Sequence, residues 1–207
     1  MKLQPVNKAT GAFYLRNYAS LSLIIHIEAD PLAHSFATFD ISSILLHHHA
    51  VQLSDMPAFA LRHEAGNFVI AVQPHDFTET RALRDAWAHA DRILARRGIW
   101  LLSTSIDDLH AEPCWSNALQ IARCARIDVN PDDKSRVIDF LDQAGQARLI
   151  DCARRCETSN DSFDAILKLI SDGALHHDAA PLTSSSLIRL QPFTRPATIP
   201  WLSHGSR

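Results

Sequence analysis

The chain has 207 residues, 46% of them hydrophobic and 21% charged, and a formal net charge of −3. That is enough for one large domain or two small ones with a buried core, which excludes wholesale disorder. It lacks any run of about 18 uncharged apolar residues that could span a bilayer, and its charge excludes nucleic-acid binding by bulk attraction alone.

The first residues, MKLQPVNKATGAFYLRNY, lack the continuous apolar region of a secretory signal. Four cysteines are too few for a disulfide framework, so a cytoplasmic location is expected. Twelve histidines suggest, at first sight, a metal site.

Residues Arg16 to Ala29 carry a nearly continuous apolar helical pattern that Asp30-Pro31 ends. HSFATFDIS and SILLHHHAV follow, β-compatible and of strand length. MPAFALRH and NFVIAVQP then flank Glu64-Ala65-Gly66-Asn67, the signature of an antiparallel hairpin. From Glu79 to Arg97 an amphipathic helix is expected, with Leu83, Ala86, Trp87, Ala90 and Leu94 on one face. Arg81, Arg84, Arg92 and Arg96 share the other face, and Gly98 stops the helix. Ile99 to Ser103 reads as a short buried strand, which makes a strand–helix–strand crossover and a mixed sheet.

Beyond Ile106 helical segments are expected at Ser116–Cys124, Pro131–Gln143, Gln146–Cys156 and Ser162–Ser171. Two short strands, ALHHD and LIRLQ, enclose a polar loop. Three helices and a hairpin are the pattern of a winged helix, so domains are expected at 1–130 and 131–191, with a proline-containing tail at 192–207. Through Val129 there are 11 basic and 13 acidic residues, and 9 and 10 beyond it, so neither half is a basic module.

Four motifs follow one another along the chain: Glu28-Ala29-Asp30-Pro31 after a helix, Met56-Pro57-Ala58-Phe59, Ile70-Ala71-Val72-Gln73-Pro74, then Arg97-Gly98-Ile99-Trp100-Leu101. In order and spacing they resemble the TnsA-like transposon endonuclease family, along most of the chain. Glu112-Pro113 to Asn117-Ala118 and the winged-helix-like end also match. The resemblance implies a restriction-endonuclease-like α/β fold, a mixed sheet flanked by helices. In that fold, carboxylates on adjacent strands hold Mg²⁺, which activates water and stabilises the pentavalent phosphate.

This chain departs from the family where the chemistry lies. Ala58 stands for the aspartate after proline, Ala71 for the acid of the (D/E)-x-K triplet and Gln73 for its lysine; the upstream helical glutamate falls near Ser20. Alanine has no oxygen to ligate a hard cation, and glutamine carries no charge. The expectation is a catalytically inactive homologue, a DNA-associated or structural subunit beside a transposase or recombinase and an AAA-type ATPase. Two alternatives stay open. One is an active Mg²⁺-dependent nuclease whose carboxylates have moved to Asp55 and Asp76, with Arg81 or Arg84 as the cation. The other is a winged-helix DNA-binding regulator.

Other side chains divide between functional and structural roles. His47 and His49 share a strand face but lack companion ligands in sequence. Cys152 and Cys156 lie one helical turn apart, and with His176-His177 they form either a zinc site or two buried thiols in a helical core. The arginines of the Glu79–Arg97 helix, with Arg148, Arg154 and Arg155, are the phosphate-contact candidates. Ser162–Ser171, the would-be recognition helix, carries Asp164 beside Lys168 and suits protein contact as well as DNA contact.

Overall fold

A computed structural model describes residues 8, 18–44, 56–73, 80–157, 161–178, 180–191 and 199–202. The described chain is mixed α/β and falls into two compact units. The first comprises residues 1–24, 32–110 and 195–207; the second, residues 25–31 and 111–194. The boundary expected near Asn130-Pro131 falls inside the second unit, which begins at Ala111 and claims the end of the first helix.

That helix, α1 (Tyr18–Ala29), is buried at Ser20, Ser22, Leu23, Ile24, His26, Ile27, Glu28 and Ala29. A helix buried on nearly every side is an interior helix rather than a surface one. In the first unit, strands β1 (Ala33–Phe39), β2 (Ala58–His63) and β3 (Gly66–Gln73) pair antiparallel in sequence order. Then α2 (Arg81–Ala95) crosses over to β4 (Ile99–Ser105), which pairs parallel with β3. The result is the mixed four-stranded sheet the crossover pattern predicts, in the order β1-β2-β3-β4. The run from Phe68 to Val72 is buried on both faces, as a continuous apolar run in a central strand requires.

Helix α2 starts where Thr80 accepts a hydrogen bond from the Leu83 amide at 3.2 Å. It ends before Gly98, whose φ of 69° is the left-handed conformation that glycine adopts without steric cost. Its buried residues Leu83, Ala86, Ala90 and Leu94 lie on the predicted face, and Trp87 packs half-buried beside them. Burying two leucines and a row of alanines is the main reason that this helix stays on the sheet; truncating either leucine costs about 2–5 kcal/mol.

One expected strand is corrected at its start. Ser43 and Ile44 belong to a 3₁₀ turn (Ile41–Ile44), and residues 45–51 of that segment lie outside the described residues. The Asp40 carboxylate accepts the Ser42 amide at 3.0 Å, and its carbonyl accepts the Ser43 hydroxyl at 2.7 Å. These local bonds compete with a sheet ladder and end β1.

A single helical turn, α3 (Ile106–Leu109), follows β4 directly. In the second unit α4 (Cys114–Cys124) precedes α5 (Pro131–Ala144), β5 (Gln146–Arg148), α6 (Leu149–Ala153), α7 (Ser162–Ser171), β6 (Leu175–His177) and β7 (Leu187–Leu190). The three strands form an antiparallel sheet in the order β5-β7-β6. The expected helix at Gln146–Cys156 is therefore corrected: its first turn is strand. Gly145, at φ 72°, turns the chain out of α5, and Ala147 then pairs with Ile188 of β7. Pairing with a distant strand overrides local helical preference. The helix that follows starts only where the Leu149 and Ile150 amides find the carbonyls of Ser186 (2.8 Å) and Ser184 (3.0 Å).

Candidate functional site

Ala58, Ala71 and Gln73, three of the positions that the resemblance singles out, fall on one face of the first unit's sheet. Ala58 and Ala71 are direct cross-strand partners, and Gln73, two residues on, shares their face by the strand period. Directly opposed residues on neighbouring strands have Cβ atoms about 5 Å apart, so two carboxylates here could share one cation. The residues present cannot. Ala58 and Ala71 are 4% and 0% exposed, inside an apolar cluster with Met56, Val69, Leu101 and the buried leucines of α2. Ser20, on α1, is buried as well.

Across from Gln73 in the register stands Ser105, whose hydroxyl accepts the Asp108 amide at 3.0 Å to cap α3. The Asp108 carboxylate accepts the Ser105 amide in return at 3.1 Å. This carboxylate closes a reciprocal capping box and so does helix-terminus work. Asp55 and Asp76, the positions considered for a displaced site, lie outside the described residues, as do His47 and His49. Among the described residues no group of three or more His, Cys, Asp or Glu is placed to hold a metal ion.

Between α1 and the end of α3 the Ser22 hydroxyl lies 2.9 Å from His110 Nε2 and donates to the Tyr18 carbonyl at 3.1 Å. A serine–histidine contact of this length resembles a nucleophile with its base. Ser22 is completely buried, however, so the pair is a satisfied polar link within the fold.

Cys124, Cys152 and Cys156 are buried in one apolar cluster around α7. Burial pushes each thiol up to about 11, which keeps it protonated and poorly nucleophilic. His176 and His177, on β6, are both held below the ordinary imidazole value, chiefly by burial.

The would-be recognition helix is α7. Its Ala165, Ile166, Leu167, Leu169, Ile170 and Ser171 are buried, and Ser162, Phe163, Asp164 and Lys168 are half-buried. Helix α4 packs along it. Arg123 of α4 pairs with Asp164 at 2.9 Å, and the Lys168 ammonium donates to the Ala125 carbonyl at 2.9 Å and to Asp172 at 2.7 Å. The same α4 clamps the β6–β7 loop. The Asn117 amide donates to the Ala180 carbonyl at 3.0 Å and accepts the Leu182 amide at 2.8 Å. A helix that enters a major groove must present an exposed face, and α7 has none.

The phosphate-contact candidates fare differently. Arg81, Arg84, Arg92 and Arg96 are all exposed on the outer face of α2, with Asp85 and Asp91 also exposed. Over the fifteen residues from Arg81 to Ala95 the helix rises about 22 Å, so this is a stripe rather than a cluster. Arg92 spends its Nε on the Ala88 carbonyl at 3.1 Å. In the second unit, Arg154 pairs with Asp151 at 3.2 Å, and Arg155 lies over the Phe140 ring at 4.4 Å. Arg148 is exposed on β5.

Sequence reasoning missed the burial of α7 beneath α4, and the exposed ring of Trp100 on β4. The first has no local signal; the second is hidden inside an apolar run. Among the described residues no helix is long and apolar enough to cross a membrane. No family model matches the chain, and no curated protein matches it.

Proposed function

We propose that this chain is a TnsA-like endonuclease homologue without nuclease chemistry, serving as a DNA-associated or structural subunit of a transposition or recombination assembly. The observation that carries the proposal is the Ala58–Ala71 pair. Two residues that the resemblance assigns to metal binding face each other in register, and both are packed into an apolar cluster. The mixed sheet with its crossover helix supports the restriction-endonuclease-like reading of the first unit. In the second, the order helix, strand, helix, helix, strand, strand, with β7 between β5 and β6, supports a winged-helix reading. The closure of α7 favours a structural or protein-binding role for that unit over groove reading, which weighs against the independent DNA-binding regulator. A transposase or recombinase and an AAA-type ATPase are the partners this reading implies.

The test is incubation of the full chain with supercoiled plasmid and Mg²⁺ or Mn²⁺. Intact plasmid at protein excess is expected. Cleavage that disappears in Asp55→Asn or Asp76→Asn would instead establish an active nuclease with displaced carboxylates.

A further inference from the structure

The three short strands of the second unit turn one face to the core and the other to solvent. Ala147, Ile188, Leu175 and Leu190 point inward and pack in the apolar cluster around α7. By the strand period, Gln146 and Arg148 of β5, Leu187 and Arg189 of β7 and His176 of β6 point outward. Exposure agrees with the alternation: Gln146, Arg148, Leu187 and Arg189 are exposed, and His176 is half-buried.

Register then fixes the neighbours on this outer face. Gln146, Arg189 and His176 form one row across the sheet, with Arg189 in the middle, and Arg148 and Leu187 form the next. Direct neighbours in a row have Cβ atoms about 5 Å apart, and Arg148 and Arg189 are diagonal neighbours at about 7–8 Å. Arg148 has no acidic partner among the described residues. Arg189 lies 3.4 Å from Asp178, with both side chains about half exposed. An exposed pair of this length contributes little, so the guanidinium can turn to a phosphate. His176, held by burial below the ordinary imidazole value, is neutral at pH 7 and adds a ring N–H.

Size decides between occupants. Strands about 4.8 Å apart with residues about 3.4 Å apart give this face an area on the order of 150 Å². A stable protein interface buries about 800 Å² on each partner around an apolar centre, and here Leu187 is the one exposed apolar side chain. Two guanidinium groups and a glutamine amide suit phosphates, which such side chains contact without reading bases. No Phe, Tyr or Trp lies among these side chains to stack on an unpaired base.

We infer that the outer face of the β5-β7-β6 sheet holds the backbone of duplex nucleic acid, with Arg148 and Arg189 on two phosphates. A duplex is favoured over a single strand because it presents one charge per about 1.7 Å rather than about 3.4 Å. The inference rests on the DNA-associated reading above. It names the surface and the mode, which is backbone contact in a unit whose α7 cannot enter a groove.

The experiment is fluorescence anisotropy of the full chain with a labelled duplex of about 20 base pairs, or about two helical turns, at salt from about 0.05 to 0.2 M. Arg148→Gln/Arg189→Gln should weaken binding about 10- to 100-fold at low salt. It should also lower the log–log salt slope by about 1.8, or about 0.9 for each phosphate no longer neutralised. Leu187→Ala, which keeps both guanidinium groups, should change neither. Asp178→Asn, which takes the competing carboxylate from Arg189, should tighten binding. Circular dichroism melting of each variant checks the fold. An unchanged slope in the double arginine variant would overturn this surface and leave DNA association standing. No duplex binding by the unaltered chain would overturn both. Displacement of the labelled duplex by polyglutamate as readily as by unlabelled duplex of equal charge would make the face a docking site for an acidic protein segment and overturn the inference.

Discussion

The sheet face beneath α2 and the outer side of α7 are each where a function is expected, and each is closed by different means. Beneath α2 the two paired positions offer no group that could hold a cation: Ala58 and Ala71 present methyl groups that pack with Val69, Leu83 and Leu101. On α7 the side chains remain, but α4 occupies the surface, with Arg123 on Asp164 and the Ala125 carbonyl on Lys168. A position without a ligating side chain is closed by its composition alone. Closure by a neighbouring helix is a matter of packing, held by a few polar contacts and a shared apolar core. The two closures should thus respond to mutation on very different scales.

The largest effect is expected where the packing admits no polar group. Ala71→Glu places a carboxyl at a fully enclosed position. Leaving an unpaired charge there should cost about 3–5 kcal/mol, read from the urea midpoint, without producing Mg²⁺-dependent cleavage. Burial raises the folded pKa of such a group above its unfolded value of about 4.3, so the cost is greatest above both values and shrinks as pH falls toward 4. Full stability at pH 7 together with a Mg²⁺-induced rise in melting temperature would show that this face still admits a metal site.

A smaller effect is expected at α4. Asn117→Ala orphans the Ala180 carbonyl and the Leu182 amide, two backbone groups bound by one 5%-exposed side chain. A cost of about 1–3 kcal/mol follows, with hydrogen-exchange protection of the Leu182 amide falling first. Unchanged protection would mean that the β6–β7 loop is held by its own turn, in which Ser186 accepts the Thr183 amide at 2.9 Å.

These two sites also mark how far the sequence can be read. The hairpin and the α2 face are legible because each rests on spacing within about twenty residues: strand alternation, helical period and a glycine stop. The identity of Ala58 and Ala71 needs no structure at all. The strand at Gln146–Arg148 is not legible, because its helical composition is overruled by a partner some forty residues away, Leu187–Leu190. The cover on α7 is not legible for the same reason. Nothing in SFDAILKLIS says that Asp164 and Lys168 will be spent on α4, and a domain division near Asn130 puts α4 elsewhere. The bare Trp100 is hidden because alternation along a short apolar strand does not say which strand lies at the sheet edge.

Next in size is Lys168→Ala, which removes the ammonium from the Ala125 carbonyl and from Asp172. The side chain is 17% exposed, so part of this interaction is shielded from water, and a loss of about 1–2 kcal/mol is expected. If α4 is held mainly by the apolar contacts of Ala118, Ile121 and Cys124, the unfolding transition stays single and only its midpoint moves. A separate early transition, with the Cys124 thiol becoming reactive before the rest, would instead make α4 a detachable cover.

The smallest effect is one of pH, and it separates the two units. His176 and His177 are both pushed below the ordinary imidazole value of 6.5, first by burial, and each carries further contributions from its neighbours. Arg189 adds to the depression at His176, and His176 adds to it at His177, while Asp178 opposes it at both. Below pH 6.5 the unfolded chain binds protons that the folded β6 resists, so stability from this source is full above 6.5 and falls as pH drops through the folded values. Backbone amides of β6 should accordingly lose hydrogen-exchange protection between pH 7 and pH 5.5. Replacing both histidines with glutamine should remove that dependence while leaving the amides of β3 unaffected. A decline of equal size at β3 and β6, persisting in the double variant, would place the acid sensitivity outside this sheet.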